Sequence, residues 1–314
     1  MIQSTKLAYA GILGATFFWG TNFNAGAYII KQMAPLSASI ERFAISTLIL
    51  LVIFGLLGKL RLSVLRNNLL AFIGLGLLGF TGFSVATFFG LQTTTPINGA
   101  LILATTPLWT MILAVLLEGE RIDRGRAIGL VLGLLGVGLV ITRGDIQVLL
   151  GLKVVSGDAM ILAGSMAWAA NMVGTRRFVK DSTPLETTSF SMLFGVMGLT
   201  VLGFMYEDPI ASIRHASLAV HEAVIYLAIG GSVVAYLLWF KGIHVIGAAR
   251  TSIFFNLAPV FTMLVSSLMG VLPNVWQVFG AGGVILGVLF ASGMVFGSVK
   301  STATMAAQCQ DNAA

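Results

Sequence analysis

Ten long apolar stretches run through this chain, at 7–30, 36–57, 69–91, 97–117, 125–142, 156–178, 185–205, 220–240, 248–270 and 275–297. A helix needs roughly 20 apolar residues to cross a bilayer core. Lipid offers no partner for a bare N–H or C=O, so only helices and closed barrels can span it. These runs are too long for barrel strands of about 10 residues and lack in/out alternation. The expected fold is therefore an all-α polytopic membrane protein with ten transmembrane helices. Charged residues make up 10% of the chain, against about 25% in soluble domains. That is too few to cover a water-facing surface, which excludes an ordinary soluble enzyme, a disordered tail and a nucleic-acid binder. The first run holds Trp19, Asn22 and Asn24 and is followed by no small-residue cleavage pattern. It reads as a retained helix rather than a signal peptide.

The formal charge is +6, and its distribution gives an orientation. Cytoplasmic loops of membrane proteins carry the excess of Lys and Arg. With the N-terminus inside, thirteen of these residues fall on the inner side, Lys59, Arg61, Arg176, Arg177 and Lys300 among them. Lys31, Arg42, Arg143, Lys153 and Arg214 fall outside. Both termini are expected in the cytoplasm.

The chain also repeats itself. Trp19 precedes Asn22 by three residues and Pro35 by sixteen, and Trp168 precedes Asn171 and Pro184 by the same intervals. Gly90, Pro107, Thr110 and Met111 match Gly242, Pro259, Thr262 and Met263 at one constant offset, and Gly129 and Gly136 match Gly280 and Gly287. Five spans per repeat is an odd number, so the halves, 1–147 and 148–298, are expected in opposite orientations, with 299–314 a mobile cytoplasmic tail. Inverted repeats recur in secondary transporters, with the substrate between them near the midplane. The other reading is an old duplication kept only for packing.

The stretch from Gly90-Leu91-Gln92 through Ala104-Thr105-Thr106-Pro107-Leu108-Trp109 to Glu118-Gly119-Glu120-Arg121 resembles the end-of-half signature of the EamA-type family of the drug/metabolite transporter superfamily. It recurs from Gly242 to Gly270, including Leu257-Ala258-Pro259-Val260-Phe261. Phe18-Trp19-Gly20-Thr21-Asn22-Phe23 resembles the family's first span, and Arg42 stands where its second commonly has an arginine. The resemblance implies ten helices in two inverted halves, an inner-membrane location, and transport of amino acids, other small metabolites or drugs, usually outward. The chain departs from symmetry at one place: the turn after Gly270 lacks the carboxylate of Gly119-Glu120-Arg121.

Several side chains are candidates for that work. Trp19 with Asn22, and Trp168 with Asn171, share a helix face at three-residue spacing. They read as a pair of shelves flanking a substrate or as interhelical glue. Tyr236 and Trp239 share a face, and their counterparts are Ser84 and Thr87. That contrast suits a solute with an apolar and a polar end, but Trp and Tyr also mark membrane interfaces. Glu41 and Arg42 are adjacent charges within a span, and such charges are functional candidates by default. Arg42 has the planar fork to hold a substrate carboxylate, and Glu41 is read as the one membrane carboxylate available for proton coupling. Both could instead snorkel to headgroups. Asn256 lies mid-span, three residues before Pro259, and joins the substrate-binding candidates. Pro107 and Pro259 each remove a backbone donor within a span and read as hinges or as static kinks. Gly129, Gly133 and Gly136, with Gly280, Gly283 and Gly287, read as close helix contacts within one molecule or between two.

Other chemistries lack their motifs. His215, His221 and His244 show no zincin spacing, and no Gly-Lys-Ser/Thr phosphate loop is present. Cys309 is a single cysteine and builds neither a disulfide nor a thiolate site alone. No cofactor or metal is expected, and no enzyme activity. The expected function is a secondary transporter exporting small organic metabolites such as amino acids. Its partners are a small-molecule substrate and membrane lipid, not nucleic acid, and it is a monomer or homodimer. The alternatives are a sugar-phosphate or nucleotide-sugar exchanger, which needs deep Lys or Arg, and an integral-membrane lipid enzyme, which needs paired acid/base or metal-ligating residues.

Overall fold

The computed structural model describes residues 2–94, 96–152, 155–268 and 270–292. The expected tail 299–314, with Lys300 and Cys309, lies outside the described residues. Every regular element among the described residues is a helix. Eight helices are long and apolar enough to cross a membrane: Pro35–Leu56, Leu69–Thr87, Gly99–Glu118, Arg124–Thr142, Pro184–Tyr206, Leu218–Ile246, Ala248–Leu268 and Val275–Ser292. The first and sixth expected spans form helices Ile2–Ile29 and Ser156–Phe178, of 28 and 23 residues, which are not among the eight. Their polar content explains this. They carry the two Trp/Asn pairs together with Thr16, Thr21 and Ser165; all of these are buried inside the bundle except Asn22, which is half-buried.

The sequence sets the helix ends. Pro35, Pro184 and Pro209 stand in first turns, where the missing N–H costs nothing. Thr183 and Glu186 form a capping box at the start of Pro184–Tyr206. Gly119 and Gly247 end helices at φ +67° and +89°, a backbone that L side chains resist.

Four long helices are not continuous α-helix. In 69–91, residues Leu77–Gly82 form a π-helical stretch, and in Leu218–Ile246 residues Leu227–Val234 do the same. The expected span 97–117 is interrupted at Thr105, so Pro107 sits in the first turn of Thr106–Glu118. Pro259 follows a 3₁₀ turn, Phe254–Leu257, at the start of Ala258–Leu268. Both prolines thus begin a helix after a break. They do not kink one from within.

The loops gather at two ends. At one, Leu36 and Ser37 meet Glu207, Asn274 meets the Arg143 carbonyl, and Thr94 bonds Asp158. At the other, Arg61 meets Glu186, Lys180 meets Asn68, and Glu120 meets Arg176. Helices Arg124–Thr142 and Val275–Ser292 lie backbone to backbone. A Cβ on Gly129 would stand 2.5 Å from the Gly287 carbonyl, and one on Gly136 would stand 2.6 Å from that of Gly280. These glycines make a contact within one molecule, the first of the two expected arrangements.

Candidate functional site

Rings from four helices and the 3₁₀ turn converge in the middle of the bundle. The Trp19 ring centroid lies 6.0 Å from Trp168, 5.4 Å from Tyr236, 4.7 Å from Trp239 and 5.7 Å from Phe255. Tyr236 also meets Trp168 at 5.8 Å and Phe80 at 4.9 Å. All four predicted aromatics are buried. Tyr236 and Trp239 therefore do not mark a membrane interface, and that reading is corrected by their position in the core. The indole N–H groups of Trp168 and Trp239 have no partner among the described residues.

The π-helical stretches explain the rest of the polar cluster. A π turn widens the helix and disturbs its ladder, leaving carbonyls for other donors. The Gly231 carbonyl accepts from Trp19 Nε1 (3.0 Å) and Arg42 Nη2 (2.9 Å), and Ser46 Oγ donates to the Ala228 carbonyl (3.0 Å). Arg42 Nε donates to Ser232 Oγ at 2.7 Å. The Asn22 amide, oriented by its neighbours, accepts from Arg42 Nη2 (3.1 Å) and donates to the Phe18 carbonyl (3.0 Å). Asn171 Nδ2 donates to the Leu75 carbonyl (2.8 Å), at the entrance to the other π stretch. Two glycines make room for these amides: Gly231 packs against the Asn22 amide and Gly79 against that of Asn171. Each asparagine so rests on a π stretch distant in the chain, Leu227–Val234 for Asn22 and Leu77–Gly82 for Asn171. Arg42 does not reach Glu41, and its Nη1 has no partner among the described residues.

Glu41 turns elsewhere. Its Oε1 lies 2.7 Å from His221 Nδ1, and its Oε2 is buried without a partner among the described residues. His221 lies within the expected run 220–240, but nothing in the sequence pairs it with a carboxylate 180 residues away. Glu41 is also not the only helical carboxylate. Asp158 and Glu186 stand in first turns, both buried.

A cavity of about 470 Å³ opens at the Arg143 end, between helices from both parts of the chain. Thr87, Thr262, Ser266 and Gln277 give it polar walls, and Leu103, Ile161 and Met263 apolar ones. Of the predicted residues, Thr87 and Pro259 line it. Ser84 is buried and does not. Asn256 lies about a turn below Pro259 along the same face. It is 1% exposed, and neither amide atom has a partner among the described residues. Gly133 makes room for this amide.

The opposite end is shut by charge. Glu120 accepts from Arg126 Nη1 (2.6 Å) and Arg176 Nη1 (2.9 Å). Glu118 lies 3.6 Å from the same Arg176 nitrogen, and Asp123 lies 3.8 Å from Arg250. The turn 119–123 is thereby tied to helices Ser156–Phe178 and Ala248–Leu268. At the Arg143 end the corresponding turn is Val271-Leu272-Pro273, which lines the cavity mouth and carries no charge. Among the described residues no group of His, Cys, Asp and Glu could hold a metal ion.

Known proteins resemble this chain throughout its length. The "uncharacterized transporter YyaM" of Bacillus subtilis is 39% identical over 287 residues, covering 91% of this chain and 94% of that one. An "uncharacterized transporter" of Archaeoglobus fulgidus is 25% identical over 272 residues, 86% of this chain and 93% of its own. A protein of known crystal structure superposes with a TM-score of 0.76 over 93% of this chain and 98% of that one, at 20% identity, so the fold is shared. The model of the EamA-like transporter family matches twice, at residues 6–142 and 155–293. The chain is an integral membrane protein and belongs to the EamA-like transporter family.

Proposed function

We propose that this protein is a secondary transporter working by alternating access, which exports small organic metabolites, amino acids or related amphipathic compounds, across the inner membrane. One observation carries the reading: a cavity between helices is open at one end of the bundle while ion pairs shut the other. A carrier that exposes its cargo to one side at a time passes through such a state. With both termini in the cytoplasm, the cavity faces outward and the Glu120 end faces inward.

The architecture we infer has ten spans in two inverted five-helix repeats, 1–147 and 148–298. The twofold match of the family model supports it. So do a π stretch in each half, a break before each of Pro107 and Pro259, and the exchanged contacts Asn22–Gly231 and Asn171–Gly79. In this scheme Trp19, Trp168, Tyr236 and Trp239 form the platform that passing solute meets, and Asn256, Thr87 and Ser84 supply polar groups on its route. Arg42, anchored by Ser232 and Gly231, keeps Nη1 for an anionic group. Glu41 with His221 is the candidate for proton coupling. Pro107 and Pro259 are hinges.

Reconstitution in liposomes tests the reading. Protein-dependent flux of a labelled amino acid or other small organic solute is the expected result. No flux of any solute in a broad panel overturns it.

A further inference from the structure

We propose that a second cavity, at the Glu120 end, docks cargo through a carboxylate, and that docking undoes the ion pairs that shut this end. The inference deepens the transporter reading and rests on it. The cavity holds about 340 Å³ and is lined by Arg176, Asp181, Ser182, Thr187, Phe240 and His244, among others. One wall residue backs onto the aromatic cluster: the Phe240 ring stacks on Tyr236 at 6.2 Å.

Arg176 belongs to both structures. It lines the cavity, and it holds Glu120 and Glu118. Both contacts use Nη1 alone, and Nε and Nη2 have no partner among the described residues. The Arg176 side chain is 43% exposed, so a solute can reach it. A guanidinium prefers to meet a carboxylate with two parallel bonds, and neither glutamate does so here. Partly exposed ion pairs of one-nitrogen geometry hold weakly. A carboxylate arriving from the cavity can take the fork and displace them.

The displaced group has somewhere to go. Glu120 already accepts from Arg126, six residues along its own segment, at 2.6 Å, so release from Arg176 does not leave it buried and alone. What parts is the tie between the turn 119–123 and helix Ser156–Phe178. Gly247, at φ +89°, packs against both Arg176 and Glu120, so the start of the next helix is freed as well. The ligand class is an organic carboxylate with an apolar body, for which Val179, Phe240 and Ile243 provide the surface.

The test reads distance rather than flux. Spin labels go on Ile122→Cys and Phe178→Cys, both exposed positions, in a Cys309→Ser background. The protein is reconstituted in nanodiscs and probed by pulsed electron resonance. Acetate, hexanoate and phenylalanine are compared with acetamide, hexanamide and phenylalaninamide. The expected result is a longer mean distance with at least one carboxylate and none with its amide. Arg176→Gln is expected to give the long distance without ligand and no further response. Arg176→Lys keeps the charge but loses the fork, so it should rest at the short distance and respond more weakly. No response to any carboxylate, an equal response to the amides, or a full response in Arg176→Lys overturns the proposal. Failure of the transporter reading looks different: the distance responds and liposomes show no flux.

Discussion

Trp19 and Trp239 are both buried indoles of one cluster, yet they are not equivalent. Trp19 satisfies a π-stretch carbonyl and Trp239 bonds nothing among the described residues. Trp19→Phe is therefore expected to cost about 1 kcal/mol more than Trp239→Phe, the worth of one buried hydrogen bond, measured as unfolding in detergent. Gly79 and Gly231 are sites where a methyl group has no room, because the Asn171 and Asn22 amides occupy it. Alanine at either should cost about 1–3 kcal/mol, the usual penalty for overpacking. Gly26 and Gly282 face open space, so alanine there should leave the unfolding midpoint nearly unchanged. For Glu41, replacement by Gln removes the group that could titrate beside His221. The expected outcome in liposomes is loss of the response to a pH gradient, with exchange of labelled for unlabelled solute retained. Full pH-driven accumulation in Glu41→Gln would exclude it as the coupling group.

Helix Pro184–Tyr206 shows how one buried carboxylate can organise an element. Glu186 accepts from the Thr183 N–H (2.9 Å), the Arg61 N–H (3.0 Å) and the Arg61 side chain (2.8 Å), and it is fully buried. The same contact raises the Arg61 guanidinium above its usual pKa, because bonding to the carboxylate favours its charged form. Glu186→Gln should lower stability by about 1.5–3 kcal/mol, the range for a charged hydrogen bond, and loosen the 57–68 connection first. Hydrogen exchange of the Arg61 amide would report it. The cap itself was legible, since Thr183 and Glu186 have capping-box spacing, but its partner 125 residues away was not. The same limit recurs elsewhere. The Trp–x–x–Asn pairs stand out in the sequence, and the structure brings both tryptophans together. The π stretches leave only glycines as a trace, Gly79 and Gly82 in one and Gly230 and Gly231 in the other. Such glycines also suit ordinary close packing. The cavity is illegible for a simpler reason: its walls come from helices far apart in the chain.

For the whole molecule the two ends differ in kind. In the inferred topology Lys59 and Arg176 face the same compartment, and cysteines placed there should react with an impermeant reagent from one side of the membrane only. Reaction from opposite sides would remove the inverted repeat and the alternating cycle built on it. A cysteine at Ser266, on the cavity wall, should react from the other side.

The uncharged turn Val271-Leu272-Pro273 stands opposite a turn tethered by arginines, and the molecule should therefore notice which side holds the brine. Mobile ions shorten the reach of charges to about 3 Å at 1 M, from about 10 Å at 0.1 M. Raising ionic strength in the compartment that bathes Glu120 should quicken turnover, whereas the same change across the bilayer should leave it alone. A vesicle loaded with dilute buffer and diluted into concentrated salt, then the reverse, makes the comparison with a single preparation.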